Sequence, residues 1–403
     1  MCTRALVQRG RRVFTNQSEW AGGRMVATLH HNFVPLTTNF YENSLKQLSD
    51  IQQKQAGLLI GAVVADAAAR GLEGFSSKEI AEFEKRQAAS HGDSDGEESL
   101  VFALAGPPHR SSCLPLTGAL RHHSYTCLLV QQLLRVMAAA RGEFPVSYVK
   151  DSWVSVAHAH PQCFAAEHAS LLNVLGVVLL LPVIYPWTDD ATLRAYATPF
   201  IDFLTEPPEG GVAAATTRSA VQAYAFSALG VALRCLQSNP DPYRNAAIVA
   251  VPGTADLFPD DVVSFAPRRA QNELLSQLVD ASAAGVDATP LSACGSSSRD
   301  GCGLAAGHSA ALSPARPLVE DIRVSREALI VARRARSYAD GVREAIRLGA
   351  PVCQRSLLVG GLLGARLGVR RIPPTWLSAT HGHSPLATMA IEVAQWSWNP
   401  PHH

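Results

Sequence analysis

Apolar positions along this chain recur mostly with the spacing of one helix face, and clean alternation of apolar and polar residues is rare. With alanine and leucine abundant, the pattern predicts an all-α protein. The segment from Asn43 to Arg70 reads as one long helix, polar at first and then apolar. Gly57, Gly61 and Ala65 lie four apart on one of its faces, where small residues let a second helix approach closely. Ser76-Ser77-Lys78-Glu79 has the form of a capping box and predicts a short helix to about Gln87. Further helices are predicted over 124–141, 146–158, 165–181, 190–204, 215–238, 320–348, 352–368 and 384–397. Pro199 falls inside one of them and is expected to kink or end a turn. The longest apolar run, Val174–Tyr185, contains Pro182 and is shorter than the ~18–20 residues of a membrane span. It predicts a buried helix, and no membrane partner is expected.

The pattern weakens in two places. Residues 1–42 carry four arginines before the first acid, Glu19, which suits a disordered basic tail or a mitochondrial targeting leader. Residues 251–317 are rich in Ser, Ala, Gly, Pro and Asp and read as a loose insertion, with a short helix at Ala270–Leu278. The expected organisation is a leader over 1–42, one many-helix domain over 43–380 with an insertion at about 251–317, and a C-terminal helix and tail over 381–403. At 403 residues with 47% apolar, the chain can bury a large core. The net charge of +1, scattered basic residues and 7% aromatics argue against a nucleic-acid partner. Eight cysteines without a CxxC pair argue against a thiolate zinc site and for reduced thiols, hence a cytoplasmic location, with a mitochondrial one if the leader is read. The acidic turn HGDSDGEE at 91–98 fails as a calcium loop, because His91 and Phe102 stand where that spacing needs acids.

Two stretches say more than composition. GLLIGAVVADAAARGLE at 57–73 and SYADGVREAIRLGAPVCQRSLLVGGLLGARLGVRRIPPTW at 337–376 together resemble the ADP-ribosylglycohydrolase family. SYTCLLVQQLL at 124–134 and the helix pair at 190–204 and 215–237 look like the branch containing J-type crystallins and selenoprotein J. The resemblance covers roughly 48–250 and 320–380, and it implies an all-α orthogonal bundle. It also implies a pair of Mg²⁺ ions, held by carboxylates at two helix starts, that orient ADP-ribose and a water at the anomeric carbon.

The acids that the resemblance asks for are mostly replaced. His123-Ser124-Tyr125-Thr126 stands at the early Thr-Asp-Asp-Thr position, and Pro351, Cys353 and Gln354 stand at the late Asp, Asp and Thr or Ser. Proline has no side-chain ligand atom, and a thiol is too soft for magnesium. Asp66 and Glu73 carry over from the opening motif. Glu73 is the candidate general base, and Asp66 a second catalytic or purely structural acid. Ser124, Tyr125, Thr126, Cys353 and Gln354 are the candidate ligand-cleft residues. Trp187-Thr188-Asp189-Asp190 offers a displaced carboxylate pair, yet these are also good helix-start residues, and the capping role is the expected one. His160, Cys163 and His168 have the elements of a transition-metal set or of ordinary helix-end histidines. GHSAA at 307–311 and GHSPL at 382–386 do not fit a nucleophile elbow, and no phosphate-binding loop is present. The leading expectation is a family member without the dimagnesium centre, with no cofactor, acting as a structural protein or a binder of an ADP-ribose-like small molecule. The alternative is a Mg²⁺-dependent ADP-ribosyl glycohydrolase using Glu73, with Asp189 and Asp190 as metal ligands.

Overall fold

Two small-residue helices lying against each other form the centre of the molecule. The computed structural model describes residues 38–91, 100–103, 122–140, 146–161, 163–164, 170–205, 215–240, 242–243 and 318–397. The insertion at 251–317, most of the leader, most of the acidic turn and His168 lie outside the described residues. The described elements are helical throughout, so the protein is all-α.

The stretch Asn43–Arg70 is two helices, not one: α1, Thr38–Gln47, and α2, Asp50–Ala69. Ser49 divides them. Its backbone is extended, its Oγ accepts from Gln52 N at 3.4 Å, and Gln52 Oε1 accepts from Ser49 N at 2.9 Å. This reciprocal capping box starts a new helix instead of continuing the old one. Thr38 also places the start of α1 inside the segment read as leader. A 3₁₀ turn, Arg70–Leu72, follows α2 and delivers Glu73. Helix α3, Ser77–His91, begins as its motif predicts, with Ser76 and Glu79 exchanging hydrogen bonds, and runs a turn beyond Gln87.

After α3 come α4, Tyr125–Ala140, α5, Val146–Ala159, and α6, Leu171–Val178. Helix α6 is shorter than the predicted 165–181, and Pro182 sits in a separate 3₁₀ turn, Leu181–Val183. Helices α7, Asp190–Thr205, and α8, Ala215–Leu236, match the predicted pair. Pro199 does not end α7. Thr198 Oγ1 donates to Arg194 O at 2.8 Å, next to the turn in which proline has no N–H to give.

The predicted helix 320–348 is also two: α9, Leu318–Arg334, and α10, Tyr338–Arg347. Ser337 caps α10 through Asp340 N, and the Arg366 guanidinium donates to Arg333 O and Ala335 O, carbonyls left open by the end of α9. Then follow α11, Val352–Leu367, α12, Pro374–Ala379, and α13, His383–Ser397.

Helices α2 and α11 pack along their lengths, with α4, α9, α10 and α13 around them. The predicted face of Gly57, Gly61 and Ala65 is the contact. A methyl group on Gly364 would sit 1.9 Å from Gly57 O, and one on Gly61 would sit 2.4 Å from Gly360 O. Backbone touches backbone here, so even alanine finds no room. Tyr338 Oη donates to Gly61 O at 2.6 Å and fixes α10 onto the same seam. The segment Asp50–Leu72 is long and apolar enough to cross a membrane, but 94% of its apolar 18-residue stretch is buried in the fold, as befits a core helix.

Candidate functional site

Three helix ends meet beside the seam: the C-terminal end of α2, the start of α4 and the start of α11. Asp66, near the end of α2, and Arg70, the first residue of the 3₁₀ turn that follows, face this junction. Asp66 is fully buried, so its carboxylate must find partners within the fold. Oδ2 accepts from Ser124 N at 3.0 Å, and Oδ1 accepts from Ser124 Oγ at 2.5 Å. Ser124 in turn caps α4, its Oγ accepting from Cys127 N at 3.1 Å. His123 Nδ1 lies 3.6 Å from Asp66 Oδ2, and its Nε2 lies 3.2 Å from His381 O.

Glu73 performs the matching service for α11. Pro351, joined to Ala350 by a cis peptide bond, is the N-cap of that helix and gives no side-chain hydrogen bond. Glu73 reaches over from the end of the 3₁₀ turn, and its Oε2 accepts from Cys353 N at 2.6 Å. A carboxylate at the positive end of a helix is favourable on both hydrogen-bond and dipole grounds. Cys353 Sγ points back to Asp66 O at 3.7 Å, and Gln354 Nε2 donates to Thr126 Oγ1 at 3.4 Å, which closes the junction.

The positive charge here comes from arginine. Burial opposes ionisation of Arg70, but the Glu73 and Asp66 carboxylates are among the groups around it that outweigh burial and raise its pKa. The two thiols stay neutral. Burial, with Asp66 adding, pushes Cys127 well up, and burial, with Glu73 and Asp66 adding, does the same to Cys353. Neutral buried thiols are poor nucleophiles.

Most of the residues singled out in the sequence are therefore brought together: Asp66, Glu73, Ser124, Thr126, Cys353 and Gln354 share this junction. Tyr125 faces the hydrophobic core and is fully buried. Among these residues only Glu73 is partly exposed. A small apolar cleft lies elsewhere, walled by Leu175, Tyr224, Ser325 and Leu358, and none of the junction residues lines it. Asp189 is exposed and stands just before α7, whose first turn it caps: Oδ1 accepts from Thr192 N at 2.7 Å and Oδ2 from Thr192 Oγ1 at 3.2 Å. These bonds lower its pKa, the backbone one foremost. Of the histidine set, Cys163 is buried and His160 half-buried. Arg70 and Cys127 were not singled out in the sequence. Their signal is spacing: Asp66–Arg70 and His123–Cys127 are both four apart, the first pair across the end of α2 and the second across the start of α4.

Comparison with known proteins bears on the last part of the chain. The ADP-ribosylglycohydrolase family model matches residues 265–400. The matched stretch is about a third of the chain. It starts inside the stretch read as a loose insertion and ends beyond 380, so it is wider at the C-terminal side than the sequence resemblance. A comparison with curated proteins finds no match. Among solved structures, one titled "ADP-ribosylglycohydrolase-related protein complex" is similar at 16% identity, over 86% of this chain and 99% of that one, with a TM-score of 0.46.

The junction does not suit the family's magnesium pair. Mg²⁺ wants octahedral oxygen ligands, and the two helix starts supply His123, Ser124, Pro351, Cys353 and Gln354 instead. The acids that remain, Asp66 and Glu73, already accept hydrogen bonds from Ser124 and from Cys353 N.

Proposed function

We propose that this protein is an ADP-ribosylglycohydrolase relative of the J-type crystallin and selenoprotein J kind, in which the dimagnesium centre has been replaced by a fixed polar junction. Its role is structural, or that of a binder of an ADP-ribose-like molecule, rather than hydrolysis. One observation carries the reading: Asp66 and Glu73 serve as caps for α4 and α11, and both carboxylates favour the charged form of Arg70. The Arg70 cation and backbone N–H groups here offset the acids, so the charge of a magnesium pair is not needed for that. Glu73 already has a structural task, since its Oε2 holds the first turn of α11 through the 2.6 Å bond from Cys353 N.

The test is incubation of the full chain with an ADP-ribosylated protein and Mg²⁺, followed by measurement of free ADP-ribose. No release above the uncatalysed background is expected, and no rise in Tm with Mg²⁺. Mg²⁺-dependent release that disappears in Glu73→Gln would overturn the reading and install the glycohydrolase.

A further inference from the structure

Asp66, His123 and Cys127 place a carboxylate oxygen, an imidazole nitrogen and a sulfur all within 4.8 Å of one another, and all three side chains are buried. Cys127 Sγ is 3.5 Å from His123 Nδ1, and His123 Nδ1 is 3.6 Å from Asp66 Oδ2. Tetrahedral zinc has bonds of about 2.0 Å to nitrogen and oxygen and about 2.3 Å to sulfur, which puts neighbouring ligand atoms roughly 3.3–3.6 Å apart. The two distances fit the edges of such a tetrahedron. From these atoms we infer that the protein binds one zinc ion through Asp66, His123 and Cys127, a mixed O, N, S set distinct from a magnesium pair, with the Cys127 thiol, neutral without metal, releasing its proton to solvent as the ion binds.

Two further observations point the same way. His123 turns Nε2 to the backbone carbonyl of His381 at 3.2 Å, so Nε2 carries a proton, and Nδ1 is the nitrogen that faces the other two groups. Metal-bound histidines characteristically give their far N–H to such a carbonyl. Moreover, Asp66 and Cys127 both approach the same ring nitrogen. A nucleophilic relay needs them on opposite nitrogens, so the cluster is not a thiol–imidazole–carboxylate triad. Ser124 occupies only part of the carboxylate, whose two oxygens offer about four lone-pair sites. Hydrogen bonds from Ser124 and a bond to a metal are therefore compatible. The ion would tie α2, the start of α4 and the loop before α13 together, with a water in the fourth position. This inference uses only the fold and the three side chains, and it holds whether or not the protein hydrolyses anything.

The experiment takes the full chain, stripped with a chelator, and titrates it with Zn²⁺ and then with Co²⁺ as a coloured substitute. One equivalent is expected to bind, with Tm rising as Zn²⁺ increases. Co²⁺ should give a thiolate-to-metal charge-transfer band. Cys127→Ser and His123→Gln should each weaken binding by more than the ~10–100-fold that follows loss of a supporting group. Cys127→Ser should also abolish the band. If either variant fails to fold without metal, the other variant and the wild-type cobalt band decide. Absence of stoichiometric binding, or binding and a band that survive in Cys127→Ser, overturns the site. None of these readouts involves Mg²⁺ or ADP-ribose, so its failure is separable from failure of the functional reading.

Discussion

Asp66→Ala is expected to lower the unfolding free energy by about 3–5 kcal/mol, the range for removing one partner from a buried charge network. Its side chain accepts from Ser124 N and Ser124 Oγ and lies beside His123, and its field is one of those that keep Arg70 charged. Truncation leaves the Ser124 amide buried with one partner fewer. It also leaves Arg70, only 5% exposed, with less compensation inside the protein. The start of α4 would loosen because Ser124 caps that helix. Urea denaturation of metal-free protein reads the effect as a fall in the midpoint at constant m. A midpoint within experimental error of wild type would show that Asp66 is not the pin of this junction. Ser124→Ala should cost less, about 1 kcal/mol, since it removes a cap and leaves the acid with its other neighbours.

The contrast between Asp66 and Gly57 shows which features the sequence made visible. Gly57, Gly61 and Ala65 announced a close contact because the period of a helix puts residues four apart on one face. That period is local, and the predicted face is the one that meets Gly360 and Gly364. The cap at Ser76 was legible for the same reason. The break at Ser49 had an equally local sign, Ser-x-x-Gln, but apolar periodicity ran on across it and hid it. The gap between α9 and α10 is different in kind. It is stabilised by Arg366, thirty-odd residues away, whose donors take the open carbonyls at Arg333 and Ala335. The junction was legible as a set of residues through resemblance, yet not as a set of contacts. Asp66 meets Ser124 across 58 positions, and Glu73 meets Cys353 across 280. No window along the chain holds both members of such a pair. For this reason Glu73 read as a candidate general base in the sequence, although it caps α11 in the fold.

Glu327→Ala is expected to be as damaging as the loss of Asp66, for a related reason at the other side of α11. Arg355 is fully buried, and its guanidinium pairs with Glu327 Oε2 at 2.9 Å while donating to Gly349 O. Burial lowers the pKa of Arg355, and Glu327 works against that shift. Without Glu327 the cation remains in the core facing mainly a backbone carbonyl, a situation that costs about 3–5 kcal/mol. Arg323 also binds Glu327, but it is 32% exposed and can turn to water, so Arg323→Ala should cost no more than about 1 kcal/mol. The double variant Glu327→Ala/Arg355→Met removes the stranded charge and should recover a large part of the loss. A double-mutant cycle from chemical denaturation measures that coupling. Additive single effects would mean that Glu327 acts on α9 alone. Coupling would mean that the pair anchors the turn from Gly349 into α11, and so holds Cys353 N where Glu73 reaches it.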